Sequence, residues 1–532
     1  MRKLRINQES GFILPALVSI IIALGIISLA VADLVSTNLF SVTRNIQRQQ
    51  AFNIAEAGVN YYLWHLSHNA TDYKDGQTTP TTPDPQLGYG PYVHNYVDDN
   101  AKVTGTYTLW ISPQGGNSTV VNVRSIGKIN GSTSTRTVVA QIGAPSFASY
   151  AVVGDSALWF GPTETADGPV FSNAGIEMDG PNTDQVTSAN TTYVPPIGLH
   201  SSNYANGASH PGVWCDTAVT SPVNCNTRSK SSWQYPAPSI DFASVTSSLC
   251  TMKKTAFASD PSTSSLANLA NACSQTPTTR TAAYLPQRSS SGAYSVSKGY
   301  LIQLNNNNTY NLSQVNGETD TSSTYSTALT VSGIANSIPI PASGVIFAED
   351  NVWVRSNPTF HGRVTIGAGR LAQASINAEI VITDNLKYSA KDGTDSIGLV
   401  SEDSIFMAPY APPQSGSFNF EIDGALLAEA GSVEYYPTYR SNANSCTKGW
   451  VSPSQTFTFY GSVATRQTWT WTWLQGGSPC GNAAFQSGTG YISGIENNTT
   501  QYDYNLQYNP PPSYPVTSTY NVLSWREVLT KP

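Results

Sequence analysis

Four groups of residues in this chain have the type and spacing to do chemistry. Glu349-Asp350 and Glu402-Asp403 occupy matching places in a repeated unit. If the repeats stack, these carboxylates line one corner. There they would hold calcium, act as a general acid and base, or simply form a solvated row of turns. No basic partner for an anionic sugar stands beside them in the sequence, which favours the solvated row. Trp469, Trp471 and Trp473 alternate with threonine, so in one continuous strand their indoles share a face. Exposed, they make a candidate ligand platform for a sugar ring or an apolar partner; buried, they cap the fold or pack beneath the tail. The 6 cysteines are even in number. Proximity suggests Cys215 with Cys225, Cys250 with Cys273 and Cys446 with Cys480, and an exported chain favours disulfides over metal. No Cys-x-x-Cys or histidine spacing suggests zinc, so neither metal nor cofactor is expected. Gly154-Asp155-Ser156 is a lone triplet, and His65, His68, His94, His200, His210 and His361 show no partner spacing. Binding is therefore a better expectation than catalysis, and the chain is read as no enzyme.

The elements that must position these residues are mostly β. Only 11% of the 532 residues are charged and the net charge is −7. That excludes a chain kept disordered by self-repulsion and the clustered cations that nucleic acid requires. Val103, Tyr107, Leu109 and Ile111 alternate with polar residues, Gly115-Gly116 turns the chain, and Val121, Val123 and Ile126 follow. Asn130-Gly131 marks a second hairpin turn, so a three-stranded antiparallel meander is expected within 67–144. Beyond it a short unit recurs at Gly168, Gly344, Gly398, Gly424 and, more faintly, Gly461: an apolar strand, a small or acidic bridge, then a second apolar strand. Strands that bend after three or four residues suit a parallel β-helix, with a β-sandwich as the alternative. The Ser-, Thr- and Asn-rich segment 183–343, with four cysteines, reads as an insertion between the first solenoid strands (145–182) and the rest (344–500). Its Tyr- and Asn-rich loops are a second candidate ligand surface. The tail 501–532 carries Asn509-Pro-Pro-Pro-Ser-Tyr-Pro515, which must be extended.

The first 66 residues are the most specific. Gly11 to Ala32 holds no charge, and a helix of that length, about 33 Å, crosses a bilayer core. Arg2, Lys3 and Arg5 precede it, which predicts a cytoplasmic N-terminus and an exported remainder. A cleaved signal peptide ending at Ala30-Val31-Ala32 fits the same residues. However, apolar residues continue at helical spacing through Leu39, Val42, Ile46, Ala51, Ala55, Val59, Tyr62 and Leu66. A single helix over 12–66, about 80 Å long, is expected.

The leader 1–11, the Gly11-Phe12 junction, the apolar span and Ala51-Phe-Asn-Ile-Ala55-Glu56-Ala57-Gly58 together resemble the N-terminal region of PilX-type minor pilins of type IV pili. That resemblance implies cleavage after Gly11 by a prepilin peptidase and N-methylation of Phe12. It also implies partnership with other pilins and minor pilins and with a pilus assembly platform. Major pilins carry a glutamate at the fifth mature position, where this chain has Ala16. That glutamate neutralises the buried ammonium of the subunit above, so its absence suits a tip or tip-proximal subunit, or is a tolerated variation. The expected fold class is α+β: a transmembrane pilin helix, a meander and a mainly β head. The expected function is a minor pilin in the membrane, then on the cell surface, displaying an adhesive head for a glycan or protein ligand. No nucleic-acid partner is expected. The alternative is a membrane-anchored or secreted β-helical surface protein, glycan-binding or glycan-active, outside any filament.

Overall fold

The computed structural model describes residues 13–528 except 69–71, 114–119, 144, 197–206, 269–271, 289–298, 320–324, 374–376, 412–417, 436–454, 468, 475–491, 495–497 and 518–520. The chain divides into two compact units. One holds a long helix and an antiparallel sheet; the other is a mainly β head.

The helix runs unbroken over Ile13–His68, 56 residues. Its N-terminal half is long and apolar enough to cross a membrane, and Leu14, Ile20, Ile26 and Leu34 are each more than half exposed. From Ala51 onward one stripe is buried: Ala51, Ile54, Ala55, Val59, Tyr62 and Leu66. That spacing is one face of a 3.6-residue helix. The stripe lies on a five-stranded sheet in the spatial order Tyr89–Val97, Val103–Pro113, Val120–Ile129, Thr135–Gly143, Asn521–Val528. The expected three-stranded meander is thus extended at both edges. Tyr89–Val97 escapes the sequence reading because Gly90-Pro91 looks like a breaker and its buried positions are few. Asn521–Val528 comes from the tail itself, beyond its prolines, and Arg136 to Glu527 is an ion pair tying it to its neighbour. The head is therefore an insertion in sequence between the fourth and fifth strands of this sheet.

One detail of register departs from expectation. In Val120–Ile129 the buried positions are Val120, Val121, Val123, Ser125 and Gly127, while Ile126 is only half-buried. Small residues face the helix because there is no room for more. A Cβ on Gly127 would stand 2.1 Å from Ala51 O and 2.4 Å from Ala55 N.

In the head, each copy of the repeated unit places its first strand in one long ladder and its second strand in another sheet. Val345–Ala348, Arg363–Ala368, Ser396–Ser401, Phe418–Ala428 and Gln455–Thr465 are parallel neighbours in the first. Asn351–Asn357, Ile380–Ile382, Ile405–Met407, Val433–Tyr435 and Trp469–Thr470 are parallel neighbours in the second. Spatial order does not follow chain order. Val152–Gly154 pairs with Val463–Thr465, so the first strands of the head stack on its last, followed by Val170–Ser172, Val186–Ser188 and Trp233–Gln234. The segment read as an insertion thus leaves one end of the ladder at Trp233–Gln234 and rejoins the other end at Tyr284–Leu285. Between them, helix Ser244–Ala258 packs Leu249, Met252 and Phe257 into a core shared with Phe347 and Tyr284. The Pro-rich tail is a strap, and it departs from the extended run expected because it turns at Ser513, with Tyr514 N–H donating to Pro511 O. Arg363 donates to Pro510 O, Thr365 to Pro512 O, and Tyr514 is buried.

Gly127→Ala should cost about 1–3 kcal/mol, since the clash is with backbone and cannot rotate away. Gly333→Ala, with nothing within 4 Å, should stay within about 0.5 kcal/mol. Thermal unfolding of the full chain in detergent checks both.

Candidate functional site

The contact between helix and sheet accounts for the Ala-Glu-Ala-Gly run. Ala55 and Gly58 are on the buried stripe, and a Cβ on Gly58 would meet Ser125 Oγ at 2.3 Å and Tyr107 at 2.9 Å. Glu56 and Ala57 are half-buried on the flank of the helix. Ala16 is exposed on the apolar half, and Gly11 and Phe12 lie outside the described residues. Just past the helix, Asp72 and Asp75 tie the chain end. His65 Nε2 lies 3.2 Å from Asp72 and His94 Nε2 2.6 Å from Asp75, while Tyr61 donates to Asp75 at 2.9 Å. His361 likewise lies 2.8 Å from Asp395. Asp75 and Asp395 stand 19 and 34 residues from their histidines, so no local spacing announces those pairs.

The acidic bridges are also partnered. The first residue after a strand of the long ladder donates its N–H back to the neighbouring rung: Glu349 to Leu285 O, Gly369 to Ala348 O, Glu402 to Ala368 O, Glu429 to Ser401 O, Arg466 to Ala428 O, Asp155 to Thr465 O, Asn173 to Gly154 O and Ala189 to Ser172 O. This column forms one corner, and the helix Ser244–Ala258 supplies two of its partners. Lys253, fully buried, forms an ion pair with Glu349, and Thr246 donates to Glu429. Arg370 forms an ion pair with Asp350, and its backbone N–H and that of Ala378 donate to Glu402 at 2.6 and 3.2 Å. Burial pushes the Glu349 and Glu402 carboxyls up and the Lys253 ammonium down. A row of solvated turns is thus not what the sequence built. The protein's own cations and amides engage Glu349, Asp350 and Glu402, and Asp403 accepts from Ser404 Oγ at 3.2 Å. In Gly154-Asp155-Ser156, Asp155 faces Arg466 at 3.5 Å and Ser156 donates to Gln467 O.

The tryptophan platform is not formed by Trp469 and Trp471. The strand breaks at Trp471: Trp469–Thr470 pairs in parallel with Val433, while Thr472–Leu474 pairs antiparallel with Ile492–Gly494. Trp471 is buried against Phe457 and Phe459, and Trp469 packs on Phe160 at 5.5 Å. The side chain of Trp473 lies outside the described residues. Cys215 is bridged to Cys225 and Cys250 to Cys273, the latter fastening the covering helix. Cys446 and Cys480 lie outside the described residues.

What the sequence did not reveal is a cleft at the end of the ladder, lined by Trp214, Trp233, Tyr235, His210, Asp216 and Lys230 among others. These residues come from separate strands and a disulfide loop, so no spacing marks them.

No protein-family model and no curated protein matches the chain. Among solved structures, the competence-associated pilin ComZ from Thermus thermophilus is similar at 13% identity, covering 91% of this chain and 98% of that one with a TM-score of 0.31. A likeness of that degree assigns no family.

Lys253→Met should destabilise the head by about 3–5 kcal/mol, because Glu349 is left buried and unpaired. Adding Glu349→Leu should recover much of the loss, read as denaturant midpoints. Burial also pushes the Glu434 carboxyl up to about 8. Between about pH 4.5 and 8 the folded chain keeps a proton that the unfolded chain has released, so stability falls as pH rises through that window. Glu434→Gln should therefore melt higher than the parent at pH 8, with the gain shrinking toward pH 5.

Proposed function

We propose that this chain is a minor pilin of a type IV pilus-like filament, tip or tip-proximal, whose β-rich head is displayed outside the cell as an adhesive or binding module. The observation that carries the reading is the continuity of the helix Ile13–His68 through Ala32. Its first half is uncovered and apolar, and its second half is locked to a sheet through Ala51, Ala55 and Gly58. A signal peptide cut before Asp33 would sever this rod and has no use for the continuation. A pilin needs both halves: the first to wait in the membrane with a cytoplasmic N-terminus and then to pack among other pilins, the second to hold its head. Prepilin peptidase would cut at Gly11-Phe12, and an assembly platform would extract the subunit. Ala16 in place of the usual glutamate supports a position with no subunit above it. We read the head as a parallel β-helix, supported by short parallel strands alternating between sheets. Engagement of the acidic bridge residues by Lys253, Arg370 and backbone amides supports a binding role over a catalytic one.

Mass spectrometry of the mature N-terminus from the native host tests this. A start at N-methylated Phe12, lost in Gly11→Val, is the expected outcome. A start at Asp33 overturns the reading, and an intact Met1 reduces it to a plain membrane-anchored surface protein.

A further inference from the structure

Two strands end their sheets beside open space. Val213–Trp214 is last in a three-stranded sheet with Ile176–Met178 and Leu158–Phe160, and Trp233–Gln234 is last in the long ladder. Residues of both line a cleft of about 570 Å³, within the range of small-ligand sites.

The cleft is rigid and aromatic. Trp214 is held from behind, its Nε1 donating to Tyr193 OH at 3.0 Å, and His210 stacks on it with ring centroids 3.6 Å apart. The neighbouring Cys215 is bridged to Cys225, which fixes the loop that returns toward Lys230. Trp233 is oriented by Nε1 donation to Asn182 Oδ1 at 3.3 Å yet stays half-exposed, and Tyr235 is 38% exposed beside it. Such pre-positioned rings bind without paying for their own ordering.

The charges in the cleft are unequal in availability. Asp216 is buried; its N–H donates to Asp179 at 2.7 Å and its Oδ1 accepts from Ala218 N at 2.8 Å. Lys230 is exposed, its ammonium 5.3 Å from the centre of the Trp233 ring and 3.9 Å from Cys225 Sγ, and among the described residues it forms no ion pair; the Arg228 guanidinium, 5.1 Å from the same ring, donates to Gly180 O. An anionic group on a ligand can draw that ammonium from the indole, and an apolar ring face can take its place.

We propose that this cleft binds an acidic saccharide, a pyranose bearing a carboxylate. Its C–H face would pack on Trp233 and Tyr235 and its carboxylate would pair with Lys230. A pyranose has one apolar face and a hydroxylated rim, which matches aromatic walls with a polar border. One exposed lysine in a chain of net charge −7 suits a single carboxylate and not the phosphate track of a nucleic acid. The proposal rests on the reading of the head as a binding module and is independent of filament assembly, which the N-terminus tests separately.

Calorimetric titration of the full chain in detergent with tetragalacturonate, its methyl ester and single-stranded oligothymidylate tests the assignment. The expected result is binding of the acid at least fivefold tighter than the ester, with no measurable binding of the oligonucleotide. Lys230→Gln should bring the acid down to the ester's affinity and leave the ester unchanged. Trp233→Ala should weaken both at least tenfold, and Tyr235→Ala, at an exposed position, should weaken both if the first variant fails to fold. Absence of binding by either sugar, an unchanged acid-to-ester ratio in Lys230→Gln, or binding of the oligonucleotide as tight as the acid overturns it.

Discussion

The head depends on one constraint: its strands, most of them short, have too little buried surface to stand alone, so each must give its backbone groups to its neighbours. Parallel pairing in register repeats this from Tyr284–Leu285 to Trp233–Gln234. The arrangement is closed at its middle, not at its ends. Val152–Gly154 joins Val463–Thr465, so strands far apart in sequence become adjacent and the rungs on either side are held in one ladder. The chain must then travel from one end of that ladder to the other, and on the way the helix Ser244–Ala258 covers its corner.

That corner explains why so uncharged a chain keeps its charges where it does. Stacked turns place Glu349, Gly369, Glu402, Glu429, Arg466 and Asp155 in a column, and the carboxylates in it need partners once they are covered. Lys253 and Thr246 on the covering helix, with the backbone N–H of Arg370 from the turn beside it, engage Glu349, Glu429 and Glu402. Buried ion pairs add little net stability, but they make other placements of the helix costly. The Cys250–Cys273 bridge acts on the same helix, as does the apolar contact of Met252 with the ladder strand at Gly367. The cover is thus held by charge, sulfur and packing together.

The helix of the other unit divides its labour along its length. Apolar side chains all round suit lipid or other helices, while a stripe of alanine, glycine and tyrosine suits a sheet that approaches within van der Waals distance of the helix backbone. The small residues are on both partners, Ala51, Ala55 and Gly58 on the helix and Ser125 and Gly127 on the strand, and the closeness fails if either side grows.

Much of this was legible without coordinates, because periodicity is a local property. The apolar span, its amphipathic continuation, the hairpin turns, the repeated two-strand unit and the nearness of Cys215 to Cys225 are all patterns of a few to some tens of residues. The tertiary structure decided whatever depends on neighbours remote in the chain: the outer strands Tyr89–Val97 and Asn521–Val528, the stacking of Val152 on Val463, and the burial of Trp471. It also decided the partners of the acidic bridges and histidines, and the gathering of Trp214, Trp233 and Lys230 around one cleft. The reason is physical. Backbone propensity and hydrophobic period act over one element, whereas charge pairing, close approach and cleft formation are set by surfaces that meet only when the ladder closes.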